Sequence, residues 1–389
     1  MNEGVILLSG LVLGIWVYLV LFHGRYWRER PQAAPADGPK HWPEVAAIVP
    51  ARNEAPVVGE ALRSLLRQDY PGKLRIVLID DQSSDGTAEI VRAAAAELGA
   101  EDRVRVMSGK ALPEGWTGKM WAVHQGHGEI EDFSPGAKYV WLTDADIAHD
   151  PGSLRALVAR AEAGNLALTS LMARLKTDTL AERALIPAYV YFFQMLYPFA
   201  WVNDPKKKMA GAAGGCMLVQ RKALKAAGGI AAIRSALIDD CALGKVLKKQ
   251  GPIWLGLADG VRSLRGYPGW GDIWRLIARS AFTQLRHSWL LLALCVIGMA
   301  LTFLAPPLLS IQPDMGVRSF GTAAWALMAL SYLPTLIYYR QPVWWAPLLP
   351  LAALFYLAAT MDSARRHLIG RGGEWKGRVQ GQKQSREPV

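Results

Sequence analysis

Two kinds of apolar pattern alternate along this chain. Five short runs rich in Val, Ile, Leu and Tyr read as buried strands: Val45–Val49, Leu74–Ile79, Val104–Met107, Lys138–Leu142 and Leu166–Ser170. Between the first two, Val57, Val58, Ala61, Leu62, Leu65 and Leu66 recur at helical spacing within Pro56–Gln68. Asp85 stands where it would cap a further helix running through Leu98. Strands alternating with amphipathic helices predict βαβ units, and therefore an α/β domain with a mostly parallel sheet.

Longer apolar stretches flank that region. Residues 4–22 carry no charge and are long enough to span a bilayer. They lack the basic n-region and small-residue cleavage site of a signal peptide, so an uncleaved anchor is expected over residues 1–23. Residues 24–44, rich in Arg, Pro and Ala, read as a linker. Residues 182–201 are apolar and aromatic, contain Pro187 and Pro198, and precede Lys206-Lys207-Lys208. They read either as buried core or as an interfacial segment. Residues 270–287 place Trp270, Ile273, Trp274, Ile277, Ala281, Phe282 and Leu285 at helical spacing, flanked by Arg275, Arg279 and Arg286. That pattern suits a helix in the headgroup layer, with an ordinary amphipathic core helix as the alternative. Stretches 288–311, 320–339 and 343–361 are each of spanning length, the last two near the lower limit.

Charge asymmetry gives a conflicting topology. A basic central domain belongs on the cytoplasmic side, which puts the N-terminus outside and, after three more spans, the C-terminus outside too. Yet the tail, residues 362–389, carries Arg365, Arg366, Arg371, Lys376 and Arg378. A re-entrant or interfacial stretch would resolve this, and residues 342–350, with Pro342, Pro347 and Pro350, are the candidate. The last dozen residues are polar and are expected to be disordered.

The 389 residues carry a formal net charge of +11 and a pI near 9.6. A basic balance fits anionic lipid or a phosphorylated substrate. Nucleic acid is set aside, because the chain holds no nucleic-acid-binding motif and its apolar segments point to lipid. Cys216, Cys241 and Cys295 show neither metal-ligand spacing nor an even disulfide set, consistent with buried or lipid-facing thiols and a main domain in a reducing compartment.

The candidate chemistry sits where strands end. Asp80-Asp81 closes the second apolar run, and Asp144-Ala145-Asp146 closes the fourth. Carboxylates at the C-terminal ends of neighbouring parallel strands converge on the ligand-binding crevice of open α/β sheets. Asp144 and Asp146 flank one residue, so an extended backbone points both the same way, and a hard divalent cation would relieve their repulsion. The alternative is a metal-free acidic turn. Lys119 opens a predicted helix after Gly115–Gly118, where its ammonium and nearby amides suit a phosphate or sugar, or else it is a solvated surface lysine. Asp239-Asp240 begins another helical run, and a carboxylate beside a second one has its pKa raised toward that of a general base. Helix capping is the competing role. Capping is also the favoured role for Asp85 and Thr87, and for Asp150 ahead of the next helix. Asp80 reads as orienting its loop. The small residues of Gly211–Gly215 allow close approach to the backbone. His124 and His127 read as a packed or solvated pair rather than as ligands.

Together, Ile48–Glu54, Asp80–Thr87 and Thr143–Asp146 match in order the signatures of inverting, family 2 glycosyltransferases of GT-A fold. Residues 111–126 and Glu374–Arg378 resemble the membrane-anchored subgroup associated with hopanoid biosynthesis. The family resemblance covers roughly residues 45–290. It implies a Rossmann-like, mostly parallel GT-A catalytic domain, taken as residues 45–269, between N- and C-terminal transmembrane helices. It implies donor contacts at Pro50, Ala51, Arg52 and Glu54, with Asp81 on the uracil imide, and further donor contacts at Lys119 and Asp144. It implies Mg2+ or Mn2+ on Asp144 and Asp146, acceptor contacts at Gly214 and Gly215, and Asp240 as general base beside Asp239. Relatives carry Glu-Asp at that last pair, and here Asp stands at 239. The Q-x-x-R-W motif of processive synthases is not matched by Gln284–Trp289, which argues for transfer of a single sugar.

The resulting expectation is a multi-pass enzyme of the bacterial cytoplasmic membrane with its catalytic domain in the cytoplasm. It would move one sugar from a UDP-sugar to a lipid hydroxyl, a hopanoid or similar polycyclic lipid by the resemblance. A polyprenyl-phosphate acceptor is the alternative, to which Lys206–Lys208 would be suited. A non-catalytic membrane scaffold that keeps the fold is a third reading.

Overall fold

The computed structural model describes residues 3–35, 37–369, 374–375 and 378–379. Most of the basic tail beyond residue 369, including Arg371 and Lys376, lies outside the described residues. Only the short strands Glu374–Trp375 and Arg378–Val379 are described there. The chain forms two compact units. Of the described residues, one comprises 3–30, 177–201 and 267–369; the other comprises 31–35, 37–176, 202–266 and the short strands Glu374–Trp375 and Arg378–Val379.

The second unit holds the sheet. Among the described residues its strands are β1 (Val45–Ala51), β2 (Leu74–Asp80), β3 (Val104–Ser108), β4 (Tyr139–Thr143), β5 (Ile147–His149), β6 (Leu168–Arg174), β7 (Cys216–Gln220) and β8 (Ile253–Ser263). They lie in the order β3-β2-β1-β4-β7-β6-β8-β5. The four strands from β3 to β4 are parallel, as the alternating pattern predicts. β7 runs antiparallel to both β4 and β6, and β5 antiparallel to β8. Strands β5, β7 and β8 were not expected from the pattern. β5 has three residues, and Gly256, Asp259 and Gly260 interrupt the apolar run of β8.

Burial accounts for the parallel half. Every residue of β1 is buried, the continuous apolar character required of a strand covered on both faces. The helix Ala55–Leu66 buries Val58, Ala61, Leu62, Leu65 and Leu66, an i, i+3, i+4 stripe. On the helix Gly118–Phe133, Gly126 permits a close approach to the sheet. A Cβ there would lie 2.7 Å from Ile48 Cγ2 and 3.2 Å from Ile79 Cγ1. The chain runs from β1 through β2 to β3 and then returns to β4 on the other side of β1. The β1/β4 boundary is therefore the topological switch point, where such sheets bind ligands beyond their strand C-termini.

The other unit is helical. Among the described residues four helices are long and apolar enough to cross a membrane: Glu3–Leu21, Trp289–Ser310, Met315–Tyr338 and Val343–Leu368. The last two are longer than the apolar runs implied. Asp314 caps one of them, accepting from the Val317 amide at 2.9 Å. Residues Val343–Leu348, part of the expected re-entrant segment, form 3-10 turns leading into Leu349–Leu368. Within Trp289–Ser310 the backbone widens into a π turn at Ala300–Leu304. Pro306 has no N–H to offer the carbonyl of Thr302, four residues earlier. The buried Trp16 indole supplies the missing donor, at 2.7 Å.

One expectation for this unit needs correction, and one open alternative is narrowed. Residues 270–287 do not form one helix but two, Trp270–Ala278 and Ala281–Gln284. The break falls at Arg279-Ser280, and the first helix buries Ile273, Ile277 and Ala278. Residues 182–201 contribute the helix Leu180–Leu196, which buries nine residues including Pro187 and Tyr191, as core rather than as an exposed interfacial face.

Candidate active site

At the switch point, three segments bring charge together. Asp144 follows the last residue of β4. Lys119 stands in the first turn of Gly118–Phe133, a helix capped by Thr117, whose hydroxyl accepts from the Met120 amide. Asp239 and Asp240 open the helix Asp239–Leu247. The Lys119 ammonium lies 2.8 Å from Asp144 Oδ1 and 3.1 Å from Asp239 Oδ2. The Asp239 contact is an ion pair without hydrogen-bond geometry. Pro50, Lys119, Thr143, Asp144, Gly214 and Asp239 line one pocket.

Asp240 is held differently. Its Oδ2 accepts from the Gly214 amide at 3.0 Å and its Oδ1 from the Cys241 amide at 2.7 Å. A Cβ on Gly214 would lie 3.4 Å from Asp240 Oδ2 and 3.5 Å from Lys119 Nζ, so this glycine packs against both groups. Burial, then the neighbouring Asp239 carboxylate, push the Asp240 carboxyl up to about 6, against the opposing pull of the Cys241 amide, Lys119 and the Gly214 amide. Asp144 is also raised, by burial and by Asp146 and Asp239, with Lys119 opposing. Burial pulls Lys119 down, but Asp144, Asp239 and Asp240 outweigh it and hold the ammonium charged.

A second ionic group adjoins the first through Ala145. Arg265, just beyond β8, donates from Nε to Asp146 Oδ2 at 2.6 Å, and from Nη2 to Glu54 Oε1 and Oε2 at 2.6 and 2.8 Å. The Leu264 amide donates to the Asp146 carbonyl at 2.7 Å, which fixes the end of β8 beside this turn. One strand further along, Arg52 Nη1 donates to the Asp81 carbonyl at 2.6 Å and lies 3.7 Å from its carboxylate. Asp81 itself is buried.

Beneath the site, the Thr143 hydroxyl donates to the Gly215 carbonyl at 2.9 Å. Its one proton is thereby used, so the 2.9 Å contact with His149 Nε2 makes that nitrogen the donor. Burial, then Arg262, push the His149 imidazole down to about 3, so it stays neutral at any working pH. Thr143 thus ties β4 to the glycine loop, and the neutral histidine ties β5 to Thr143.

Residues 43–255 match the model of the family described as glycosyltransferase-like family 2, more than half of the chain. The chain belongs to that family. Relatives align over short stretches. An N-acetylglucosaminyltransferase of Rhizobium leguminosarum bv. viciae is 50% identical over 54 residues, 14% of this chain and 13% of that protein. A beta-monoglucosyldiacylglycerol synthase of Trichormus variabilis is 35% identical over 127 residues, 31% of this chain and 24% of that protein. The chain thus matches a quarter or less of these relatives. A mannosyltransferase from Pyrobaculum calidifontis, solved in complex with GDP-Man and Mn2+, superposes with a TM-score of 0.55 at 18% identity, over 94% of this chain and 99% of that one. That likeness gives the fold, GT-A.

The fold gathers most of the expected site residues and repositions the roles of several. Lys119, Asp144, Asp239, Asp240 and Gly214 meet directly, and Asp146 and Glu54 meet through Arg265. Pro50 and Ala51 end β1, and Arg52 and Asp81 form their own pair at the same sheet edge. Gly215 bonds Thr143 from below and packs against Ile147, 3.1 Å from where its Cβ would be. Lys119 is engaged by two carboxylates. Asp150 does not cap by its side chain, because Arg262 holds its carboxylate at 3.1 Å. Gly86, not Asp85, is the N-cap of Thr87–Glu97. Asp85 sits one residue earlier and ties two helix starts together, accepting from the Thr87 amide at 3.1 Å and the Ala55 amide at 3.0 Å. Thr87 accepts from the Glu54 amide. His124 packs against Trp116 and Trp121. Arg265 went unrecognised in the sequence, and Thr143 was read only as part of the Thr143–Asp146 motif, with no role of its own. The signal for Arg265 was its place just after a strand, hidden because the glycines of β8 masked that strand.

Among the described residues no three His, Cys, Asp or Glu side chains form a self-sufficient metal cage. Asp144 and Asp146 lie on a turn, with the Ile147 amide on the Asp144 carbonyl at 3.3 Å, not on the extended segment expected, and Lys119 and Arg265 hold them separately. Their oxygens are of the type that suits a hard cation, which would have to complete its shell with phosphate oxygens and water.

Proposed function

We propose that this chain transfers one sugar, with inversion, from a nucleoside diphosphate sugar to a hydroxyl of a membrane lipid. The family resemblance points to a UDP-sugar donor and a hopanoid-like, polycyclic acceptor. The observation that carries the reading is Asp240: a carboxyl raised to about 6, fixed by two backbone amides beside Lys119. Such a group is mostly ionised at neutral pH yet basic enough to take a proton.

In this mechanism Asp240 removes the acceptor's hydroxyl proton as the acceptor oxygen bonds to the anomeric carbon. The bond from that carbon to the diphosphate oxygen breaks, and the nucleoside diphosphate leaves with the bonding pair. Asp239 keeps Lys119 against the site and, by its charge, keeps Asp240 basic. Lys119 adds positive charge next to Asp144, where negative charge develops on the leaving group. Asp144 and Asp146 would hold Mg2+ or Mn2+, which when bound supplies Lewis-acid stabilisation of diphosphate charge. Pro50, Ala51, Arg52, Glu54 and Asp81 would meet the nucleoside, and Gly214 and Gly215 the acceptor. Four helices of spanning length among the described residues support membrane association. The bacterial cytoplasmic membrane, with the family 2 domain on the cytoplasmic side, is the location this reading assigns from the charge pattern.

A polyprenyl-phosphate acceptor is favoured by one observation, the exposed run Lys206–Lys208. The test uses the 389-residue chain in detergent with UDP-sugars, Mn2+ and either a hopanoid alcohol or a polyprenyl phosphate, scoring UDP release. Release stimulated by the alcohol, and lost in Asp146→Asn, is expected. Stimulation by the phosphate alone would move the acceptor to the second reading. A chain that binds no nucleotide sugar by calorimetry would be a scaffold.

A further inference from the structure

We infer that Arg265 is a built-in counter-ion that competes with the divalent cation for Asp146, so that the cation enters together with the nucleotide diphosphate rather than before it. This rests on the reading of Asp144 and Asp146 as cation ligands.

Arg265 is placed for that competition. Its guanidinium donates from two of its nitrogens, Nε to Asp146 at 2.6 Å and Nη2 to both oxygens of Glu54 at 2.6 and 2.8 Å. The carboxylates it serves are only 16% and 11% exposed, so their charges cannot be left to water. The backbone under the arginine is anchored as well. The Arg265 amide donates to Ser263 Oγ at 3.3 Å, and the preceding amide bonds the Asp146 carbonyl at 2.7 Å. A divalent ion arriving alone must push this guanidinium off Asp146, while its bonds to Glu54 can stay.

A nucleotide diphosphate changes the balance. Guanidinium matches phosphate oxygens as well as it matches carboxylate. Arg265 can keep Glu54, release Asp146 and take a phosphate oxygen from the incoming donor. Asp146 is then exposed to the cation that the same diphosphate carries. Cation and nucleotide therefore bind with positive coupling, and Arg265 is the source of part of it.

The test measures Mn2+ binding rather than turnover. The detergent-solubilised chain is titrated with Mn2+, with and without UDP, and free Mn2+ is read by electron paramagnetic resonance. In Arg265→Gln, Mn2+ alone should bind on the order of tenfold tighter than in the unaltered chain, and the enhancement by UDP should shrink. Arg265→Lys, which keeps the charge, should stay close to the unaltered chain. Melting midpoints verify that both variants fold, and added Mn2+ should raise that of Arg265→Gln more. Unchanged or weaker binding of Mn2+ alone by folded Arg265→Gln overturns the inference. Asp146→Asn separates the two levels. If it abolishes Mn2+ binding in the presence of UDP while Arg265→Gln has no effect, the metal site stands and the competition does not. If Asp146→Asn leaves Mn2+ binding intact in both backgrounds, the metal-site reading itself is wrong.

Discussion

Replacing Asp240 by Asn should inactivate the protein and shift its stability upward, relative to the unaltered chain, as pH rises. The Asp240 carboxyl is raised from 3.8 to about 6 in the folded chain, chiefly by burial and by Asp239. A raised carboxyl is protonated in the folded state and ionised in the unfolded state between those two values. Folding stability therefore falls as pH climbs through that window, by about 3 kcal/mol for a shift of roughly two units. Asn carries no such liability. It does present an amide group to one of the two backbone donors, Gly214 or Cys241, that the carboxylate accepted from, a mismatch worth about 1–3 kcal/mol at any pH. The absolute stability of the variant thus mixes two opposed effects, and the pH-dependent part isolates the carboxyl. The assay is thermal unfolding of both proteins from about pH 4 to pH 7.5, paired with sugar transfer at neutral pH. The stability difference should swing toward the variant by about 3 kcal/mol across the window, while kcat falls by roughly 10²–10⁴. A flat difference would refute the raised carboxyl, and a variant that keeps its turnover would remove Asp240 as base.

Lys119→Met removes the cation that lowers the Asp240 carboxyl, so the acid limb of the pH–rate profile should move upward from about 6, with lower kcat throughout. An unmoved limb would mean that the two groups do not communicate. Gly126→Ala should destabilise the chain by about 1–2 kcal/mol in urea unfolding, since overpacking against the stiff Ile48 side chain exceeds the helix-propensity gain of about 1 kcal/mol. Gly128→Ala on the same helix meets nothing within 4 Å and should be neutral or stabilising, and equal losses in the two variants would defeat the packing argument.

Local pattern was enough for the parallel half of the sheet and for the residues at its strand ends. β1 and β4 are continuous apolar runs, and β2 is one from Ile76 to Ile79, because both their faces are covered, and a carboxylate directly after such a run must lie at the sheet edge. Asp144, Asp146, Lys119 and Asp240 were legible for the same reason: each stands at the first or last turn of an element that declares itself. The chain's own order could not reveal who pairs with whom. β7 inserts antiparallel between β4 and β6, which brings Gly214 to Asp240. β8 returns beside β5, which delivers Arg265 to Asp146 and Glu54 from 119 and 211 positions away. Those pairings depend on hydrogen bonds between segments distant in sequence, and no local periodicity encodes them. The charges followed the same division. Which residues are acidic or basic was written in the sequence, whereas the fold alone set Lys119 between two carboxylates and raised Asp240, because burial and neighbouring charge are properties of assembled space.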